Sequence, residues 1–102
     1  MVGPKVVIIY LDRGSGHKCN IKFDFNEKLD LSNFIEYKNI SYNYQLIGVV
    51  TCIQQNQFMA FCYGKNVCKW YKFYRWIQNE SSFEEAKKEG IHYLLFYSLI
   101  EN

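Results

Sequence analysis

The chain has 102 residues, and 12 Lys and Arg against 10 Asp and Glu (12 − 10) leave a formal net charge of +2. Hydrophobic residues make up 49% and charged ones 22%, which excludes a disordered polar chain, and no apolar run approaches the roughly 20 residues of a membrane-spanning helix. So small a charge does not by itself imply a polyanionic partner, and Met1–Tyr10, with Lys5 as its one basic residue, does not read as a signal peptide.

This length makes one domain, or one piece of a larger one. In chain order, Val6–Leu11 (VVIIYL) is a continuous β-branched run that reads as a central strand buried on both faces, closed by the turn residues Asp12–Gly16. Cys19–Phe25 alternates, with Cys19, Ile21, Phe23 and Phe25 on one face, and reads as a half-buried strand. Leu29–Ile35 reads as a short strand with a turn from Ser32. Tyr42–Ile53, with Gly48 as a candidate bulge, then Phe58–Tyr63 and Lys69–Phe73, read as a meander of two hairpins.

One stretch carries helix signals. Ser81 and Ser82 precede Phe83–Lys88, with Glu84 and Glu85 placed for a capping box, lysines at the negative end and Gly90 for a left-handed stop. Ile91–Ile100 resumes as a final apolar strand. The expected class is therefore α+β, a mostly antiparallel sheet with one short helix near the C-terminus.

Cys19, Cys52, Cys62 and Cys68 are separated by 33, 10 and 6 residues, so none shows the spacing of a zinc knuckle or a redox pair. No metal or cofactor is expected. Cys52 and Cys62 lie in apolar runs, and the thiols read as reduced core residues in a cytoplasmic or nuclear setting. Asn39 and Asn79 then match a glycosylation signal by chance. His17 reads as a loop residue and His92 as a strand-edge residue. Lys65–Trp76 interleaves cations with aromatics as a single-stranded nucleic-acid grip does. On a strand, however, Lys72 would point away from Lys69 and Arg75, so no single groove forms, and no nucleic acid is expected as a partner.

Five ordered segments together resemble the C-terminal half of the catalytic domain of ubiquitin-specific proteases. PKVVIIYLDRG (4–14) is similar to that family's PKILIIVLNRG strand, and YQLIGVVTC (44–52) to its YxLxxVxxH strand. NQFMAFC (56–62) is similar to the GHYxAYC box, WYKFYR (70–75) to WYKFDD, and Ser82–Tyr97 to the terminal SFEE…YLLFY segment. The resemblance implies a palm-like sheet across 1–102, and a thiol hydrolase that cleaves after the terminal glycine of ubiquitin.

The same comparison exposes the departures. The family's nucleophilic Cys and its oxyanion donors belong to a segment upstream of the matched stretch. Its general-base His falls at Gln57, and its orienting Asp or Asn at Tyr74 and Arg75. The groove for ubiquitin's glycine tail would involve Cys52, Phe58 and Tyr71. A carboxamide has no titratable nitrogen near neutral pH, so Gln57 cannot take a thiol proton and return it to a leaving amine. No His occurs between His17 and His92, so a shift of register supplies no other base. The resemblance thus implies a catalytically inactive relative that binds ubiquitin, a ubiquitin-like protein, a separate N-terminal protease half or a second copy of itself. The alternatives are the C-terminal part of an active deubiquitinating enzyme whose nucleophile lies elsewhere, and a scaffold without ubiquitin binding.

Overall fold

A computed structural model describes residues 5–11, 24–31, 43–54 and 57–100. The predicted Cys19–Phe25 strand falls mostly outside them, as do His17, Cys19 and the turn at Ser32. The described part is one mostly antiparallel sheet with a single short helix, which is the α+β class expected. Its strands are β1 (Val6–Tyr10), β2 (Lys28–Asp30), β3 (Asn43–Gln54), β4 (Gln57–Gly64), β5 (Lys69–Tyr74), β6 (Ile77–Ser81) and β7 (Ile91–Leu99), and the helix is α1 (Phe83–Lys88).

The sheet runs β1-β7-β3-β4-β5-β6, with β2 also paired to β3. Tyr44 and Gln45 pair with both β2 and β7, so β2 sits on the edge of β3 that β4 occupies further along. The β3–β4–β5 meander forms as the sequence implies. Register slips between Leu46 and Gly48, where β3 meets β7, bearing out the bulge expected at Gly48.

Cross-strand partners share a face of a sheet, and that rule sorts every side chain here. One face carries Leu46, Val49, Phe61, Trp70, Tyr97 and Leu99, all buried. Phe83 and Ala86 of α1 pack on this face, and Phe25 closes over it with its ring 5.9 Å from Phe83 and 4.8 Å from His92. Phe25 is buried as its alternation implied, although 24–26 is not strand. The opposite face carries Val6, Ile8, Tyr10, Phe58 and Phe73, all exposed. A least dimension of 18 Å fits a sheet with a single covering layer, and the 14.8 Å radius of gyration exceeds the roughly 13 Å of a compact domain this long.

Four expectations are corrected. Val6–Tyr10 is not a central strand: among the described residues β1 pairs with β7 alone, and only Val7 and Ile9 pack on the core. An unbroken apolar run cannot distinguish two covered faces from one covered face and one open apolar face. β6 was not anticipated, because Ile77–Ser81 (IQNES) is polar and exposed and is held by backbone pairing to β5. Cys62 and Cys68 are exposed rather than core residues, Cys62 on the open face and Cys68 in a turn. His92 is buried, not at an exposed strand edge, with its Nε2 2.8 Å from the Ala86 carbonyl oxygen.

The serine cap and the glycine stop hold, while the Glu85 carboxylate is taken by Ser81 and Lys72 instead of the cap backbone. Ser82 is the N-cap, its hydroxyl accepting from Glu85 N–H at 3.1 Å, and Gly90 takes a φ of +59°. Lys72 on β5 reaches Glu85 at 2.5 Å and fastens the helix to the sheet.

Candidate functional site

The positions that the resemblance gives to a base and its orienter come together. Gln57 opens β4 and Tyr74 closes β5, two strands that pair from Ala60–Phe73 to Gly64–Lys69. Continuing that register past Phe73 carries Tyr74 beside the start of β4. There the Tyr74 hydroxyl donates to Gln57 Oε1 at 2.8 Å, and both side chains are half-buried. The connectivity is that of a base held by an orienting group, but the chemistry differs at both ends. The amide accepts a hydrogen bond and cannot serve as a base, and the phenol is a hydroxyl donor in the place of a carboxylate acceptor.

Arg75 follows in the β5–β6 turn at a φ of +57°. Its guanidinium carbon lies 5.2 Å from the centre of the Tyr74 ring, a cation–π contact. A cation in this place would oppose an imidazolium, so Arg75 does not substitute for a carboxylate. Trp76 beside it is fully exposed, and Ile77 is exposed as well. Sequence reasoning weighed Trp76 only within the Lys65–Trp76 stretch and passed over Ile77, which opens β6.

Cys52, Phe58 and Tyr71, the residues that the resemblance assigns to a groove, lie on the other face. Cys52 and Phe58 are direct cross-strand partners, and the Phe58 ring meets Tyr93 edge-on with centroids 5.6 Å apart. Tyr71 shares their face but pairs with Cys62, four residues along β4 from Phe58, so it does not join the Cys52–Phe58 pair. Tyr93 was not anticipated as a member of this patch; it is brought there by the register slip between Val50 and Thr51.

Cys62 is exposed on the open face, yet its partial desolvation by the surrounding sheet still pushes the thiol up, away from the thiolate. His92 pairs with Thr51, so its ring lies on the core face while the Cys52 side chain points to the opposite one. Cys52, Cys62 and Cys68 form no disulfide. Among the described residues no three His, Cys, Asp or Glu side chains converge as a metal ion would require.

The family model for ubiquitin carboxyl-terminal hydrolases matches residues 2–97. The chain belongs to this family. Among solved structures it is similar to Ubp8 of the SAGA DUB module with Sgf11, Sus1 and Sgf73, at 31% identity and a TM-score of 0.79 over 96% of this chain. The same values hold for Ubp8 in that module bound to monoubiquitin. A yeast SAGA DUB module gives 30% identity and a TM-score of 0.78, again over 96% of this chain. The chain spans about a quarter of the length of these hydrolases, 24% and 25%. A comparison with curated protein sequences found no match.

Proposed function

We propose that this ubiquitin carboxyl-terminal hydrolase relative is a non-catalytic binding module for ubiquitin or a ubiquitin-like protein. The observation that supports inactivity is the Tyr74–Gln57 hydrogen bond. Two groups without a usable proton near neutral pH are joined where the family's chemistry needs a base and its orienter. Loss of general-base catalysis alone typically costs about 10²–10⁴ in rate. The observations that support binding are the Cys52–Phe58 pair and the ubiquitin-bound state of a similar protein.

Two measurements test the reading. Isotope-labelled ubiquitin titrated with this chain should show chemical-shift changes that Phe58→Ala weakens; unchanged spectra at millimolar concentration would remove ubiquitin as the partner. A ubiquitin probe with a C-terminal electrophile should leave Cys52, Cys62 and Cys68 unmodified. Labelling that disappears on substitution of one of them by Ser would overturn inactivity.

A second reading rests on the fraction of the relatives that the chain covers. In it the same sheet serves an active protease whose nucleophile another segment supplies. It requires measurable turnover of a ubiquitin substrate by the assembled enzyme, through a base other than Gln57, whereas the inactive reading expects none.

A further inference from the structure

The two edges of the sheet are built differently. β6 (IQNES) presents Gln78, Asn79 and Glu80, with Glu80 paired to Lys69 at 3.0 Å. Charged and polar side chains of this kind are how natural sheets discourage a further strand. β1 (VVIIY) has no charge, no Pro, no Gly and no bulge in its five pairs with β7.

The backbone of β1 can be assigned group by group. Leu11 N–H donates to the Tyr93 carbonyl and Leu99 N–H to the Lys5 carbonyl, each at 2.8 Å. Odd-numbered residues therefore aim their polar groups at β7, and by the two-residue alternation Val6, Ile8 and Tyr10 aim theirs outward. Among the described residues nothing pairs with that outer side. The same three residues show side-chain exposure on the open face, at 50%, 59% and 65%.

We infer that β1 pairs with β1 of a second copy of this chain, antiparallel about a twofold axis at Ile8. The register is self-complementary. Ile8 meets Ile8, Val6 meets Tyr10, and each pair joins two outward-pointing residues, so the ladder forms about six hydrogen bonds. Val opposite Tyr is a favourable β-branched and aromatic pairing, and no like charges oppose one another within the strand. An interface of one strand against another falls short of the about 1,200 Å² of a stable complex, so the association is weak and concentration-dependent. A twofold pairing uses up the edge and stops at two copies.

Sedimentation velocity on the full chain from micromolar to millimolar concentration tests this. The mass should rise from 12.2 kDa towards twice that value and no further. Ile8→Pro removes an outward N–H but no bond to β7, so this variant should keep the wild-type circular dichroism and lose the dimer. Ile8→Lys sets two ammonium groups opposite each other at the axis and should also abolish dimerisation, which gives a second reading if the Pro variant does not fold. A wild type that stays at 12.2 kDa, growth beyond two copies, or undiminished dimer in a folded Ile8→Pro or Ile8→Lys chain would each overturn the proposal.

Discussion

Gln57 and Tyr74, the positions that the family resemblance gives to a base and its orienter, meet across two strands. The hydrogen bond between them is half-buried and joins the ends of two strands. Tyr74→Phe should lower stability by about 0.5–1.5 kcal/mol, read from the midpoint of urea unfolding. Both residue types were legible in the sequence; their contact was not, because 17 residues separate them. Only the pairing of β4 with β5 closes that distance. Gly90 is the contrary case, anticipated from the helix signals alone. Its left-handed backbone lies so close to β3 that an added Cβ would stand 2.5 Å from the Cys52 carbonyl oxygen and 2.8 Å from Thr51 Oγ1. Gly90→Ala should therefore cost about 1–3 kcal/mol or more in the same unfolding measurement.

At the scale of elements, α1 is six residues long and too short to persist alone, so its caps and its docking hold it. Ser82→Ala should cost about 1 kcal/mol by removing the acceptor for Glu85 N–H. The docking contact titrates. The hydrogen bond from Lys72, and then that from Ser81, hold the Glu85 carboxyl below its ordinary range, while Glu85 raises Lys72. A carboxylate whose folded value is depressed contributes stability that is present above its unfolded value and lost as pH falls through the folded one. Stability should thus decline on acidification below the ordinary carboxylate range, and thermal unfolding of Glu85→Gln should show a shallower decline over that window. The Lys72 contribution runs the other way, present below the ordinary lysine value and lost only at strongly alkaline pH. The serine cap was visible because it is local in sequence. The Lys72–Glu85 partnership was not, because it joins a strand to a helix.

At the scale of the whole molecule, a single layer covers one face of the sheet among the described residues and leaves large apolar side chains exposed on the other. Phe61 stands at the centre of the covered face with no exposed surface. Phe61→Ala should cost about 3–5 kcal/mol, a large part of the stability such a domain has, and denaturant unfolding should show it as a strongly lowered midpoint. The open face, with Ile8, Phe58 and Phe73 exposed, is the kind of surface that marks a binding partner. The run VVIIYL was read as a central strand buried on both faces. The number of apolar residues in a strand reports how much surface prefers burial; it does not say where the strand stands in the sheet.

The order of amino acids alone was enough for the α+β class, the β3–β4–β5 meander, the helix with its serine cap, and the family. These follow from short-range signals: side-chain period, cap and turn residues, and the identity of single side chains at motif positions. Long-range pairing set β1 beside β7 with no other partner among the described residues, brought polar β6 into the sheet, buried His92, and joined Tyr74 to Gln57 while Phe58 turns to the other face. Each of these depends on pairings between residues distant along the chain, and the free energy of such pairings is a property of the assembled sheet rather than of any segment within it.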